Sequence, residues 1–164
     1  MISQAIIPEI EQEASATKKM LERVPNDQFG WKPHEKSMAL GRLAVHVAEL
    51  PGWITMTIKT NELDFSTWKY DPAVVDSAEE LVQVFEKNIK TAVDTLKATS
   101  DEELMKPWTM RNGDHIFFTM PRIAVIRTFS MNHLIHHRAQ MSVYLRLQNI
   151  PVPGMYGPSA DEKG

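Results

Sequence analysis

Apolar residues recur in the first 60 residues at spacings of three and four, which place them on one face of a helix. The first stripe consists of Ile7, Ile10, Ala14, Thr17, Leu21 and Val24. It predicts a helix over about residues 3–24, ended by the turn-forming run Pro25-Asn26-Asp27. The second stripe consists of Leu43, Val47, Leu50 and Ile54. It predicts a helix that begins after Ser37 as N-cap, kinks at Pro51-Gly52 and fades near Thr60.

Residues 61–76 show no helical period and predict a long connection. Ser77 and Glu80 form a capping box, which predicts the start of a third helix that runs to about Ala98. A short helical turn is expected from Ser100, and Pro107 ends it.

The turn pair Asn112-Gly113 predicts a small β-hairpin between the third and fourth helices. The fourth helix is expected from about Pro121 to Leu147. The pattern therefore predicts an all-α protein, a four-helix bundle with one small β-hairpin, in a single domain that spans residues 1–164.

Composition narrows the possible functions. The 164 residues are 43% hydrophobic and 24% charged, which is typical of one globular domain. The absence of cysteine excludes disulfides, Cys-ligated zinc, iron–sulfur clusters and a thiol nucleophile. A formal net charge of −3 argues against a nucleic-acid partner. No apolar stretch reaches the roughly 20 residues of a membrane span, and no signal peptide is visible, so we expect a cytoplasmic protein without a membrane partner.

Any chemistry is expected to involve the six histidines. His133 and His137 are four residues apart in the fourth helix, so both imidazoles lie on one face and can share a metal ion. Their stripe consists of Ile126, Ser130, His133, His137, Gln140 and Tyr144. His46 shares the inward side of the second helix with Leu43 and Leu50, and two facing helices can bring it to the pair.

Two interpretations of this face stay open. Three neutral imidazoles can hold one divalent ion and leave a position for water or substrate. Alternatively, they are hydrogen-bonded core residues that bind nothing. His136 lies about 100° around the helix from His137 and should miss such an ion. We expect His34 in a solvated loop and His115 near the rim of a pocket.

Several segments resemble the DinB/YfiT family. They are Trp31–His34, Leu43–Leu50, Asn132–Gln140, Val143–Arg146, Pro151–Pro153 and Tyr156–Glu162. The match runs over most of the chain, and Ala139 stands where relatives often carry glycine. The resemblance implies a bundle with up-down-down-up topology and a divalent metal, zinc or nickel, held by His46, His133 and His137. It also implies a homodimer that acts on a small-molecule substrate.

Two classes of function compete. One is a metal-dependent enzyme, either a hydrolase or a thiol S-transferase; the resemblance implies the second through characterised relatives that use low-molecular-weight thiols. Because the chain has no cysteine, S-transfer would need an external low-molecular-weight thiol. Glu49, three residues after His46, is a candidate for orienting a ligand or accepting a proton, and Gln140 for holding an imidazole N–H or a substrate group. The other class is a non-catalytic metal-binding or stress-related bundle protein.

Overall fold

Helices make up most of the computed structural model, which describes residues 1–162. In chain order the helices are α1 (Ile2–Leu21), α2 (Leu40–Glu49), α3 (Gly52–Lys59), α4 (Ala78–Lys97), α5 (Asp101–Met105), α6 (Arg122–Val125) and α7 (His133–Leu147). The strands are β1 (Glu62–Asp64), β2 (Pro107–Asn112) and β3 (His115–Pro121). The domain predicted over residues 1–164 includes residues 163–164, which lie outside the described range.

The first predicted helix is confirmed as α1, although it ends at Leu21 and not near Val24. The predicted stripe faces the core, where Ile10, Thr17 and Leu21 are buried. Val24 is also buried, but it follows the helix in a turn. The apolar spacing therefore extended beyond the end of the helix, because a residue such as Val24 can pack into the core without being helical.

The predicted second helix is divided into α2 and α3, which corrects the expectation of one kinked helix. Leu50 and Pro51 separate them, although both keep right-handed helical dihedral angles. Pro51 has no N–H to donate to a preceding carbonyl, so the hydrogen-bond ladder breaks there. Beside this break, the Leu50 carbonyl accepts from the Trp53 N–H at 3.1 Å and from the buried Ser130 hydroxyl at 2.8 Å.

The start of α2 also differs from the prediction, because Ser37 lies in a preceding turn and Ala39 is the N-cap. The Gly41 N–H donates to the Phe29 carbonyl at 2.9 Å, which ties the helix start to the chain before it. A Cβ atom at Gly41 would collide with the Phe29 side chain, so glycine permits this close approach. Backbone contacts thus replace the expected serine cap.

Two serines in the middle of the chain act as N-caps, which confirms the cap predicted at Ser77 and the helical turn expected from Ser100. Ser77 accepts a hydrogen bond from the Glu80 N–H at the start of α4, and Ser100 accepts from the Glu103 N–H at the start of α5. The Glu80 carboxylate accepts from the Asp76 N–H at 3.0 Å. Local side-chain capping therefore sets where these two helices begin.

A three-stranded sheet corrects the expectation of an all-α protein with a lone hairpin. The order is β1-β2-β3, with β1 parallel to β2 and β2 antiparallel to β3. The hairpin turn is the predicted one, and Gly113 takes a positive φ of 58° there. Strand β1 lies in the segment that was expected to be a loop. Three residues are too few to show an alternating pattern, and their pairing partner is far away in sequence.

The predicted fourth helix is interrupted by a π-helical segment, Ile126–Asn132, between α6 and α7. Pro121 is the N-cap of α6 rather than its first residue. Segments of π-helix are rare, and they shift the side-chain register relative to an α-helix. This segment ends directly before His133, so it sets the angle at which α7 presents its first residues.

Helix packing places α2 and α7 side by side. α4 packs against α1, α2 and α3, whereas α7 packs against α2 and α1. Buried residues of α2, α4 and α7 share one apolar cluster, which includes Leu43, Phe85 and Met141. Among residues 1–162, none of the helices combines the length and apolarity that a membrane crossing requires.

Candidate metal centre

Three histidine side chains from α2 and α7 meet at one point. His133 is the first residue of α7 and His137 lies one turn later, while His46 projects from α2. The Nε2 atom of His133 lies 3.4 Å from that of His46 and 2.8 Å from that of His137. One ring nitrogen from each histidine lies within 4.8 Å of the others. The structure thus brings together the three residues that the sequence singled out.

The spacing of these nitrogens suits a single divalent ion. Zinc holds imidazole nitrogens at about 2.0–2.1 Å, so two tetrahedral ligands lie about 3.3 Å apart and two ligands at a right angle about 3 Å. The observed 3.4 Å and 2.8 Å bracket these values. Within the described residues no cysteine, aspartate, glutamate or fourth histidine joins the group. The donor set therefore fits one ion with at least one position free of protein ligands.

Hydrogen bonds orient two of the three rings. The Gln140 amide oxygen lies 2.7 Å from Nδ1 of His137 and accepts its N–H. The backbone carbonyl of Phe129, in the π-helical segment, accepts a hydrogen bond from the His133 ring. A proton on the outer nitrogen leaves the lone pair of Nε2 directed at the shared point. Of the two roles considered for Gln140, the structure therefore shows a contact with an imidazole, that of His137.

Burial keeps the three imidazoles neutral. It lowers the pKa of His46 to about 4, and the positive charges that His137, His133 and Arg42 carry when protonated act in the same direction. Burial also lowers the pKa values of His133 and His137, although hydrogen bonds to Phe129 and Gln140 oppose the change. At pH 7 all three are therefore in the deprotonated form that binds metals.

The other three histidines lie outside this group. His136 is exposed, and its ring packs edge-on against His137 with centroids 4.9 Å apart. His34 is exposed in the turn before α2, as expected. His115 lies at the hairpin turn against Phe117 and does not line the cavity beside the metal centre, so its expected place at a pocket rim is not observed.

A cavity of about 710 Å³ opens beside His46. Helix α2 contributes one wall, α4 a second, and residues 68–73 a third. The lining residues are Arg42, His46, Glu49, Trp53, Trp68, Lys69, Tyr70, Asp71, Ala73, Val84, Lys87 and Asn88. Its size and its mixture of aromatic and charged side chains are typical of a small-molecule site.

Glu49 stabilises one wall of this cavity. Its carboxylate accepts a short hydrogen bond from the Tyr70 hydroxyl and another from the Ala73 N–H at 2.7 Å. Burial, followed by the neighbouring Glu49, raises the pKa of Tyr70 to about 12, so the phenol stays protonated and donates. Glu49 makes no hydrogen bond to His46 among the described contacts. Its observed role is to fasten residues 70–73 to α2.

Sequence reasoning missed the residues that line the cavity beside His46, chiefly Arg42 and Tyr70. One signal was present for Arg42, because it precedes His46 by four residues on the same helical face. Tyr70 carried no such signal, since it lies in an irregular segment and reaches the site only through the hydrogen bond to Glu49.

The fold, the three histidines and the cavity define a small helical protein with a candidate mononuclear metal site. The sequence profile of the DinB family matches residues 2–163, and the chain belongs to that family. It is 28% identical over 150 residues to the uncharacterized protein YrdA of Bacillus subtilis (strain 168), covering 92% of this chain and 85% of that protein.

Two solved structures share the fold. One is a DinB-like protein of Bacillus subtilis, YjoA, with a TM-score of 0.72 and 19% identity over 94% of this chain and 99% of that one. The other is a DinB-like protein of Bacillus cereus ATCC 10987, with a TM-score of 0.73 and 25% identity over 93% of this chain and 97% of that one. The resemblance inferred from sequence is thus confirmed at the level of family and fold.

Proposed function

We propose that the protein is a metal-dependent enzyme whose ion is held by His46, His133 and His137. The observation that carries this proposal is the convergence of three neutral imidazoles beside a cavity of about 710 Å³. Three protein ligands with a free position are typical of catalytic metal sites, whereas structural zinc sites are closed by a fourth protein ligand.

A divalent ion bound there would lower the pKa of water or of a thiol at the free position and so supply a nucleophile near neutral pH. The protein residues orient and enclose that position. Gln140 and the Phe129 carbonyl hold the His137 and His133 rings in place. Tyr70, held by Glu49, forms part of the wall against which a substrate would lie.

Hydrolysis and thiol S-transfer both use such a nucleophile, and they differ in what occupies the free position. S-transfer requires an external low-molecular-weight thiol, because the chain has no cysteine. The test uses protein stripped of metal, reloaded with zinc or nickel, and given p-nitrophenyl acetate or a small thiol with chlorodinitrobenzene. Metal-dependent ester cleavage without thiol supports a hydrolase, and metal-dependent thioether formation supports a transferase.

Two variants make this test specific. His133→Ala should lose both the bound metal, measured by elemental analysis, and any turnover. His136→Ala is the matched control, because His136 is exposed on the same helix and lies outside the ligand group. Equal metal content in the two variants would overturn the assignment of the site.

A non-catalytic role is the second candidate, and one contact favours it. The Nε2 atoms of His133 and His137 lie 2.8 Å apart, within the distance of a direct imidazole–imidazole hydrogen bond, which forms when the His133 ring carries its proton on Nε2 and not on the nitrogen that faces the Phe129 carbonyl. In that case the three rings would stabilise the contact between α2 and α7 without an ion. A melting temperature that changes neither with chelator nor with added zinc or nickel would support this alternative.

We further propose an up-down-down-up arrangement of the four main helical segments and a cytoplasmic homodimer. The long connection between α3 and α4 supports the first proposal, because it leaves room for a crossover between parallel helices. The lack of cysteine is compatible with a reducing compartment. Light scattering coupled to gel filtration tests the oligomeric state directly.

A further inference from the structure

One face of α2, extended by the first turn of α3, runs from the metal centre along the cavity wall. Arg42, His46, Glu49 and Trp53 follow one another at spacings of four, three and four, and all four line the cavity. Arg42 therefore lies one helical turn before His46, about 6 Å along the helix axis. A group bound at Arg42 would lie within a small molecule's length of the metal position.

Arg42 has no ionic partner in the structure. Its Nη1 atom is buried and makes no hydrogen bond, and within residues 1–162 its guanidinium forms no ion pair with a carboxylate. Its Cζ atom lies 5.1 Å from the centroid of the Tyr70 ring, which helps to position the cation but offers Nη1 no acceptor. A buried donor without an acceptor is costly, and a bound ligand can supply the missing acceptor.

The charges around the cavity also favour an anion. Arg42, Lys69 and Lys87 are cationic and Glu49 and Asp71 are carboxylates. The Glu49 oxygens accept from the Tyr70 hydroxyl and the Ala73 N–H, and among the described residues Glu49 forms no ion pair with Arg42. A divalent ion held by neutral histidines would add further positive charge. An anionic molecule would therefore be attracted to this cavity more strongly than a neutral one.

We propose that Arg42 forms an anion-binding subsite, so that the substrate carries a carboxylate or phosphate group on an apolar body. The planar guanidinium matches the paired oxygens of such a group, and Trp53, Trp68 and Tyr70 provide apolar walls for the remainder. The inference rests on the proposed function for the role of substrate, but anion binding itself can be measured without catalysis or metal.

The test compares anionic and neutral probes of similar shape. Benzoate and phenyl phosphate are the anions, and benzamide is the neutral analogue. Binding is followed by tryptophan fluorescence, since Trp53 and Trp68 line the cavity, and by calorimetry. Each titration is made with chelator present and again after loading with zinc. The variants are Arg42→Gln, Arg42→Lys and the control Arg127→Gln, whose arginine lies in the π-helical segment and forms an exposed ion pair with Glu9 of α1.

We expect Arg42→Gln to weaken binding of at least one anion tenfold or more without changing benzamide binding, and Arg127→Gln to change neither. Arg42→Lys keeps the charge but loses the two-pronged donor geometry, so its affinity should fall between those of the wild type and Arg42→Gln. Circular dichroism and thermal unfolding check that each variant is folded.

Equal affinity of the anions for wild type and Arg42→Gln would overturn the subsite, as would the absence of saturable anion binding to the wild type. Binding that requires zinc and is lost in His133→Ala but kept in Arg42→Gln would assign the anion to the metal, which also overturns it. Arg42-dependent binding in protein that takes up no metal would support the subsite while refuting the proposed metal enzyme. The two proposals therefore fail by different outcomes.

Discussion

His46 should make the stability of the metal-free protein depend on pH. Its pKa is about 4 in the folded protein, against an ordinary value of 6.5, because burial and neighbouring positive charge disfavour the protonated ring. Between these two pH values the unfolded chain binds a proton at this residue that the folded chain does not. The free energy of unfolding should therefore be unaffected above pH 7 and should fall as the pH drops from about 6.5 to about 4.

The two pKa values set an upper limit on this effect. At about 1.36 kcal/mol per tenfold change in proton affinity, the difference between 6.5 and about 4 corresponds to about 3.4 kcal/mol. His46 is only partly buried, and solvent screening reduces the contribution to about 1–2 kcal/mol. For a protein of this size that amounts to roughly 3–6 °C in melting temperature.

The perturbation is His46→Gln, which keeps a polar side chain but removes the titration. Urea unfolding of wild type and variant is measured with chelator at pH 7.5 and at pH 4.5. Carboxylates titrate in both proteins, so the informative quantity is the stability gap between them at each pH. We expect this gap to move by about 1–2 kcal/mol in favour of the variant at pH 4.5.

His34→Gln is the matched control, because His34 is exposed in a turn away from the cluster. Its stability gap relative to wild type should be the same at both pH values. A gap for His46→Gln that is also independent of pH would refute the reasoning, since the folded protein would then hold the His46 proton as readily as the unfolded chain does.

Three further predictions concern the metal and the core. Gln140→Leu should weaken metal affinity about tenfold, because the His137 ring loses its hydrogen-bond acceptor. The loss should not be larger, since Gln140 is exposed and water can take its place at His137. Affinity is measured by competition with a chelator, His136→Leu is the control that should not change it, and an unchanged affinity for Gln140→Leu would contradict the prediction. Arg138→Met should lower the free energy of unfolding in urea by about 3 kcal/mol, because the Glu13 carboxylate, which is 14% exposed, loses the arginine that lies 2.7 Å away. A decrease below about 1 kcal/mol would show that the ion pair contributes little. Zinc or nickel should raise the melting temperature at pH 7.5 and much less at pH 5, because protons compete for the imidazoles, and an equal rise at both pH values would argue against histidine ligation.

Local sequence patterns predicted most of the helices and paired two of the three candidate metal ligands. The capping serines Ser77 and Ser100 act on neighbouring residues, so their effect is visible in a few consecutive positions. The pair His133 and His137 is local in the same sense, because four residues make about one helical turn. The turn at Gly113 follows from its own backbone freedom.

The remaining features depend on contacts between residues far apart in the chain. His46 reaches His133 across 87 positions only because α2 packs beside α7. Strand β1 forms by pairing with β2, and the cavity wall at Tyr70 by its bond to Glu49. A short or irregular segment has too little periodicity to reveal such partners, because burial and hydrogen bonding are decided by the element it meets. The sequence by itself therefore marked His46, His133 and His137 as candidate ligands from their helical stripes. The tertiary structure decided how closely His46 approaches the pair and which cavity lies beside it, because both depend on how the helices pack.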